Sequence, residues 1–358
     1  MFLKELNIIN FKNISTRQFS FSDKINCFVG NNGVGKTNIL DAVHYLSLCK
    51  SGLGLSDKMC IRHGEAFFMV EGEYIITERR HENIVVSYNG KNKSIKRNTK
   101  EYSKIAEHIG LLPFVMVSPY DTGIINESGD ERRRFLNSFI SQIDPVHMSE
   151  LMSYNTLITQ RNKILKTEVI GEAQDVLEII DMQTVTIANS ICKRRKEIIE
   201  ELAPLVESYY HTLSGEKEEV SLRYSSQLLK KPMDVLLEEA LERDKIMGYT
   251  TVGIHRDDIK MSIMDYPIRR YGSQGQQKSF LIALKLAQYD ILFAHVGRKP
   301  ILLLDDIFDK LDLERVAELI GIVSGDHFGQ IFISDCNKQR LKTILDKIDT
   351  KHKIFDIE

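Results

Sequence analysis

The sequence has no close pair of cysteines. Its five cysteines are scattered along the chain without any C-x-x-C motif, at Cys27, Cys49, Cys60, Cys192 and Cys336. Zinc sites need clustered ligands, and stable disulfides belong to oxidising compartments. The pattern therefore favours free thiols in a reducing cytosol over a disulfide or a zinc site.

An excess of charge of one sign is missing as well. The chain carries 48 Lys and Arg against 50 Asp and Glu, which gives a formal net charge of −2. A balance this close to zero argues against a uniformly basic, histone-like binder, although local basic patches can still bind nucleic acid.

Internal repeats, low-complexity tracts and a sustained heptad register are also missing. No apolar stretch is expected to reach the length of a membrane span, and the N-terminal "MFLKELNIINF" alternates too early for a signal peptide. Without a heptad register, a long coiled coil is not expected. These absences predict a cytoplasmic protein.

The residues that are present predict an α/β protein with a helical insertion. The chain has 358 residues, 42% hydrophobic and 27% charged, which suffices for a globular core. Strand patterns occur near both ends, whereas long helical patterns fill the middle. The economical arrangement is one α/β domain assembled from residues 1–125 and 249–358, with a helical lobe inserted at 126–248.

A phosphate-loop motif follows a predicted strand and opens a predicted helix. The segment "GNNGVGKT" has the spacing G-x-x-x-x-G-K-T. Its glycines let the backbone wrap around phosphates, Lys36 reaches the β- and γ-phosphates, and the Thr37 hydroxyl coordinates Mg²⁺. The predicted nucleotide-binding residues of this loop are Gly30, Asn31, Asn32, Gly33, Val34, Gly35, Lys36 and Thr37.

A second motif, "PILLLDDIF" (300–308), supplies two carboxylates. Its apolar residues predict a buried parallel strand, and such sheets bind ligands at the carboxyl ends of their strands. We expect Asp305 to bind the Mg²⁺ and Asp306 to orient or deprotonate the attacking water. ATP and Mg²⁺ are the predicted cofactors.

A third segment, "RRYGSQGQQKSF" (269–280), places small residues ahead of an apolar helix. The unpaired N–H groups of such a helix start attract anions, yet the segment lacks a phosphate-loop lysine. A homodimer explains both facts, since Ser273 and Gly275 of one subunit can cap the γ-phosphate held by the other. ATP then joins the subunits, and its hydrolysis separates them.

The order of these motifs carries a family resemblance. The phosphate loop, "GSQGQQ" (272–277), "ILLLDD" and "DKLD" (309–312) together resemble ABC-type ATPase heads of the SMC class. The segments "NFKNI", "VSPYDTGIINESGDERRRFLN", "YNTLITQRNKIL" and "GIHRDDIKMSI" look like the RecF family of bacterial DNA replication and repair proteins. The matching segments span nearly the whole chain.

This resemblance implies a fold and a function. The fold is an ABC-type P-loop ATPase head with a helical lobe and no long coiled coil. The implied protein dimerises on ATP and hydrolyses it slowly, as a weak DNA-dependent ATPase switch. It binds single-stranded, gapped or junction DNA, helps to load RecA with RecR and RecO, and supports the SOS response.

The resemblance also implies residue roles. The signature serine falls on Ser273, the Walker-B aspartate on Asp305 and the hydrolytic residue on Asp306. Many ABC heads have glutamate in the last place, and the shorter aspartate fits slow hydrolysis. Asp312 matches the D-loop, which contacts the partner subunit.

Two departures from the pattern concern a histidine and a glutamine. After "QIFIS", where many ABC heads carry a switch histidine, Ser334 and Asp335 follow one another. The glutamine of the Q-loop is not visible, and "VSPYD" (117–121) stands in its place.

Basic clusters are the candidates for DNA contacts. They lie at 91–97, 132–134, 193–196 and 269–270. The cluster 132–134 has the better case because it lies in a family-matching segment, whereas 193–196 has glutamates at helical spacing and can pair with them. No base-reading module is evident, so we expect recognition of backbone or junction shape.

Two other functions remain open on this evidence. The chain could be an ABC-type ATPase subunit of a transporter or of another SMC-like machine, although "GSQGQQ" in place of "LSGGQ" disfavours the transporter. A metabolic P-loop kinase would need no signature segment and would act as a monomer.

Overall fold

A computed structural model describes residues 1–167, 171–215, 218–307, 313–346 and 350–358. The chain divides into two compact units. The terminal unit contains residues 1–122, 212–215 and 274–358, and the middle unit contains residues 123–211 and 216–273. Residues 249–273 thus group with the middle unit rather than with the α/β residues. The predicted domain ranges 1–125, 126–248 and 249–358 stay a prediction.

The described residues form fourteen strands and ten α-helices. The strands are β1 Phe2–Phe11, β2 Ile14–Ser20, β3 Ile25–Val29, β4 Phe68–Thr77, β5 Arg80–Tyr88, β6 Lys93–Arg97, β7 Lys100–Glu101, β8 Phe114–Val117, β9 Val220–Ser225, β10 Asp258–Ile263, β11 Tyr266–Pro267, β12 Ile301–Asp305, β13 Ile331–Asp335 and β14 His352–Asp356. The helices are α1 Lys36–Leu48, α2 Thr122–Asn126, α3 Gly129–Ile143, α4 Pro145–Ile164, α5 Glu172–Ser214, α6 Met233–Met247, α7 Ile268–Tyr271, α8 Gln274–Val296, α9 Leu313–Ser324 and α10 Lys338–Leu345.

A parallel sheet of order β14-β3-β13-β12-β8 forms the centre of the terminal unit. Strands β3, β12 and β13 are buried along their whole length, as expected for parallel strands that are covered on both faces. Asp305 pairs in register with Ser334, and Asp335 pairs with Val29. The carboxyl ends of these three strands therefore meet at one edge of the sheet.

A second sheet in the terminal unit is antiparallel, with the order β2-β1-β4-β5-β6-β7. It packs against α1 through aromatic side chains: the rings of Phe11 and Phe68 lie 5.6 and 5.3 Å from that of Tyr45. Because the last two residues of the loop 30–37 begin α1, this packing holds the helix start in place.

Helix α8 is the apolar core helix of the terminal unit. By length and composition this helix could cross a membrane, since an 18-residue stretch of it has a mean hydropathy of 1.3. Of that stretch, however, 72% is buried within the protein. The expectation that no stretch reaches this length is wrong for α8. The sequence analysis missed it because polar residues such as Lys285 and Gln288 interrupt the run, and both are buried.

The middle unit contains helices α3, α4, α6 and α7, most of α2 and α5, and a small sheet of order β11-β10-β9. Its core joins α4, α5 and α6 through Tyr154, Ile191 and Leu237. Strand β10 pairs along its length with β9, from Asp258↔Ser225 to Ile263↔Val220. This pairing explains why the segment after α6 groups with the helices.

The five cysteines are free thiols, as the sequence analysis expected. Four are buried and Cys336 is exposed. Burial raises the pKa of the Cys27 thiol to about 12, so this side chain behaves as a small apolar residue.

Candidate nucleotide site

The phosphate loop (30–37) follows β3 directly and runs into the first turn of α1, which is the context that the motif requires. Lys36 is buried, and its Nζ donates hydrogen bonds of 2.8 Å to the carbonyl oxygens of Gly30 and Asn31. The Lys36 side chain thus folds back, and its ammonium group binds the backbone of its own loop. Phosphate oxygens are better partners for an ammonium group than neutral carbonyls, so a nucleotide could take these bonds over.

Two glycines of the loop are required by its geometry. Gly35 has φ 107°, and a Cβ there would lie 2.8 Å from the amide of Asn13. Gly30 has φ 156°, and a Cβ there would lie 2.2 Å from the carbonyl oxygen of Ile357. Any larger residue would both strain the backbone and displace a neighbour. Asn31, Asn32, Gly33 and Val34 form the rest of the loop, and the first three are exposed.

The fold brings Thr37 and Asp305 together across 268 positions of sequence. The Thr37 hydroxyl donates to Asp305 Oδ1 at 3.0 Å. Burial raises the pKa of the Asp305 carboxyl, and hydrogen bonds from Ser334 and Thr37 oppose that rise. Thr37 and Asp305 were predicted to share one ion, and the structure places them in direct contact.

Asp306 follows at the end of β12 in a left-handed backbone conformation, with φ 46°. This conformation costs a residue other than glycine roughly 1–3 kcal/mol and is concentrated at functional sites. The amide of Asp306 donates to Ser334 Oγ at 3.0 Å and lies 3.3 Å from the Ser334 carbonyl oxygen. The strained residue is thus tied to the neighbouring strand β13.

Ser334 and Asp335 lie at the end of β13, where many ABC heads carry a switch histidine. Ser334 is buried, and its hydroxyl donates to Asp305 Oδ1 at 2.6 Å. Asp335 is fully buried and accepts hydrogen bonds from Arg340 at 2.7 and 2.9 Å. Sequence reasoning missed the role of Ser334. The available signal was the missing histidine, but only the register of β12 and β13 shows which side chain meets Asp305.

The donor set suits a hard divalent cation. Among the residues that the structure describes, no cluster of three or more His, Cys, Asp or Glu side chains could hold a metal ion by itself. Mg²⁺, however, binds through one or two protein oxygens together with phosphates and water. The hydroxyl of Thr37 and the carboxylate of Asp305 are oxygens of that kind.

A pocket of about 320 Å³ opens beside the loop. Its walls include Asn13, Arg17 and Val34 on one side and the C-terminal residues Ile357 and Glu358 on the other. Arg17 donates to the Glu358 carbonyl oxygen at 3.3 Å, which ties the C-terminal segment to β2. The sequence analysis identified none of these residues except Val34, because they are close only in the folded chain.

Comparisons with known proteins agree with this geometry. The family model described as the RecF/RecN/SMC N terminal domain matches residues 2–354. The "DNA replication and repair protein RecF" of Parabacteroides distasonis is 45% identical over 358 residues, which cover 100% of this chain and 98% of that protein. The chain belongs to the RecF family.

Solved structures place this RecF-family chain among known folds. The "recombination mediator protein RecF-ATP in RecFOR pathway" is similar with a TM-score of 0.88 and 30% identity, over 99% of this chain and 95% of that one. The Smc head domain of Pyrococcus furiosus is similar in fold, with a TM-score of 0.57 and 16% identity over 99% and 93% of the two chains. The predicted fold class is confirmed: an ABC-type ATPase head with a helical lobe.

The predicted signature segment (272–277) of this RecF-family chain includes the last residues of the range 216–273 and the first of the range 274–358. Ser273 is the last residue of the middle unit, and Gly275 lies in the first turn of α8 in the terminal unit. Arg315 of α9 donates to the Gly275 carbonyl oxygen at 3.3 Å and to Ser279 Oγ at 2.9 Å. The predicted D-loop residue Asp312 lies outside the described residues.

The segment "VSPYD", in the Q-loop position, has a defined packing role. Asp121 accepts from Lys285 of α8 at 2.7 Å, and both side chains are largely buried. The same carboxylate accepts from the Ser118 amide at 2.7 Å. This ion pair ties the segment to the middle of α8.

The basic clusters are for the most part already paired. Arg132 forms a 2.5 Å salt bridge with Asp258, and Arg133 donates to the Asp257 carbonyl oxygen at 2.6 Å. Lys193 and Lys196 lie 3.9 and 3.6 Å from glutamates four positions along α5. Binding of DNA phosphates by Arg132 or Arg133 would require these internal bonds to break.

Proposed function

We propose that this chain is an ATP-binding protein of DNA replication and recombinational repair, and that ATP drives its dimerisation. One observation carries the proposal: the contact of Thr37 with Asp305, which assembles two distant motifs into one nucleotide and metal site. The similar RecF-ATP structure supports the choice of ATP. Family membership favours this function over a transporter subunit or a metabolic kinase.

Each residue of the site has a role in this proposal. Lys36 exchanges its two carbonyl partners for the β- and γ-phosphates, while the loop amides of residues 30–37 surround the phosphates. Thr37 and Asp305 hold Mg²⁺, which neutralises charge on the phosphates. Asp306 orients the attacking water, so that slow hydrolysis ends the ATP-bound state.

The nucleoside fits the pocket beside Gly35. The pocket adjoins the loop and offers polar groups from Asn13 and Arg17 next to the apolar side chains of Ile14 and Ile39. Such a mixture of an apolar surface with a few polar groups suits a purine and its ribose.

The second half of the enclosure comes from another subunit. Ser273 precedes the 23-residue helix α8 and Gly275 lies in its first turn, and the start of this helix attracts the γ-phosphate held by a partner subunit. Two copies joined through ATP make a clamp that hydrolysis can open.

The dimer acts on DNA in the cytoplasm. Single-stranded, gapped and junction DNA are the expected substrates, with RecR and RecO as protein partners, RecA loaded indirectly, and the SOS response supported. The relationship to RecF of the RecFOR pathway supports these partners. DNA binding and weak DNA-dependent ATP hydrolysis complete the proposal.

Light scattering tests the dimer directly. The wild-type protein should change from monomer to dimer when ATP and Mg²⁺ are added. Ser273→Arg should keep ATP binding to the monomer but block the dimer, because a bulky cation enters the contact with the partner's nucleotide.

The matched control is Ser153→Arg, which changes an exposed serine of α4 in the same unit and should dimerise like the wild type. If Ser273→Arg dimerises normally with ATP, the enclosure by two subunits is wrong.

A further inference from the structure

The hydroxyl of Ser334 makes two hydrogen bonds that join both acidic residues of the site. It donates to Asp305 Oδ1 at 2.6 Å and accepts from the amide of Asp306 at 3.0 Å. A serine hydroxyl has one hydrogen to donate and lone pairs to accept, so both bonds can exist at once. Ser334 is 1% exposed, and therefore water cannot easily replace it.

We propose that Ser334 is a positioning residue that keeps Asp305 and Asp306 in the arrangement needed for ATP hydrolysis. This inference rests on the proposed function of the two aspartates. The bond to Asp305 orients the carboxylate that also accepts from Thr37. The bond to the amide of Asp306 holds a backbone conformation, φ 46°, that this residue would not adopt readily by itself.

Asp335, the next residue, is the other candidate for positioning Asp305 and Asp306. The hydrogen bonds of its carboxylate go elsewhere and exclude this role. Both of its carboxylate oxygens accept from Arg340, and Oδ1 also accepts from the Asn337 amide at 2.7 Å. This carboxylate therefore braces the turn between β13 and α10. Of the two residues, Ser334 is the one whose side chain touches Asp305.

The geometry has a consequence for each step of the ATP cycle. Phosphate binding depends on the loop 30–37, including Lys36, and among the residues that the structure describes no side chain of this loop bonds to Ser334. Hydrolysis depends on Asp306 being aimed at the water. Loss of the Ser334 hydroxyl should therefore slow turnover far more than it weakens ATP binding.

Single-turnover ATP hydrolysis and ATP titration separate these two effects. Ser334→Ala should lower the hydrolysis rate by about 10–100-fold, the usual effect of removing a group that orients a metal ligand, with ATP affinity within about threefold of wild type. Ser334→Thr keeps the hydroxyl and suits a strand, so it should recover most of the rate. Ser47→Ala is the matched control, since it removes a buried hydroxyl of α1 that has no hydrogen-bond partner.

A double mutant shows whether Ser334 acts through Asp306. If it does, Ser334→Ala should have little further effect on a protein that already carries Asp306→Asn. The inference about Ser334 is wrong if Ser334→Ala hydrolyses ATP within twofold of the wild-type rate. It is also wrong if Ser334→Ala slows hydrolysis as much in the Asp306→Asn protein as in the wild type. Neither result would contradict the proposed function of the two aspartates. If Asp306→Asn itself hydrolyses ATP at the wild-type rate, the proposed role of Asp306 fails instead. Thermal unfolding identifies a variant that is merely misfolded, and Ser334→Cys then repeats the test.

Discussion

The nucleotide site and the middle unit bury charged groups in different ways. At the nucleotide site, among the residues that the structure describes, the Lys36 ammonium bonds to backbone carbonyls and the Asp305 carboxylate to the hydroxyls of Thr37 and Ser334. In the middle unit, Arg161 is fully buried and bonds to Asp244 and Asp181, each at 2.7 Å. Neutral partners can be displaced by phosphate or a cation, whereas a buried ion pair resists exchange because either charge left alone is costly.

We infer from this difference that the site around Lys36 and Asp305 is arranged to bind a ligand, whereas the ion pairs of the middle unit stabilise its fold. Arg195 belongs to a basic cluster in the sequence, yet it is buried and bonded to Asp257 at 2.7 Å and to Asn137 at 2.9 Å. Burial raises the pKa of Asp257, and the guanidinium of Arg195 opposes that rise. Charge in the middle unit therefore maintains the packing of its helices and strands, and a run of arginines there is weak evidence for DNA contacts.

The largest expected effect tests the scaffold. Arg161→Ala should destabilise the middle unit by about 3–5 kcal/mol, because it leaves the carboxylate of Asp244 buried without its cation. Chemical denaturation measures the change, and Lys163→Ala, at an exposed position of the same helix, should stay within about 0.5 kcal/mol of wild type. If Arg161→Ala lowers the free energy of unfolding only slightly, the ion pairs of Arg161 are no harder to lose than the neutral contacts of the nucleotide site, and the comparison fails.

The next effect tests the ligand site. Lys36→Ala should weaken ATP binding by about 2–5 kcal/mol, since a charged partner of the phosphates is lost, and ATP-dependent dimerisation should disappear. The fold itself should remain, because Lys36 donates only to two carbonyls of its own loop. Calorimetric titration with ATP and Mg²⁺ measures the affinity, with Lys58→Ala as an exposed control. If Lys36→Ala binds ATP as tightly as the wild type does, the segment 30–37 is not the phosphate-binding loop.

The smallest effect concerns acid stability. His147 is fully buried, and neither ring nitrogen has a hydrogen-bond partner in the described part of the chain. Burial together with Arg195 and Arg194 lowers its pKa to about 3. The folded pKa lies below the unfolded value, so the unfolded chain binds the proton first. Stability contributed by the neutral ring is full above the unfolded pKa and falls by about 1.4 kcal/mol per pH unit as the pH drops toward 3.

His147→Phe should remove this part of the pH dependence between pH 6 and pH 4, because phenylalanine does not titrate and no hydrogen bond is lost. Denaturation at several pH values measures the slope for both proteins. His63→Phe, at an exposed position, should keep the wild-type slope. An equal slope in His147→Phe and wild type would show that His147 is protonated in the folded protein.

Much of the fold was predictable because its signals are local. The phosphate loop has a fixed spacing, and the strands β3, β12 and β13 are short apolar runs bounded by turns. The roles of Lys36 and Thr37 follow from the same motif. The D-loop and signature assignments stay predictions, since each concerns a contact with a second subunit.

The remaining features depend on long-range contacts that no local pattern reports. The basic cluster 193–196 looked uniform in the sequence, but the helix turns Arg195 inward while Lys193 and Lys196 face outward. In the same way, the pocket beside Gly35 joins residues from β2 and from the C-terminal segment.

By itself the sequence determined the family, the order of the elements and the chemistry of the phosphate loop, because these depend on residues that are adjacent or regularly spaced. Only the tertiary structure decided which buried charges are paired and which hydroxyl reaches Asp305. The physical reason is that parallel strands distant in the chain must be brought into register before Ser334 comes within hydrogen-bonding distance of Asp305 and Asp306.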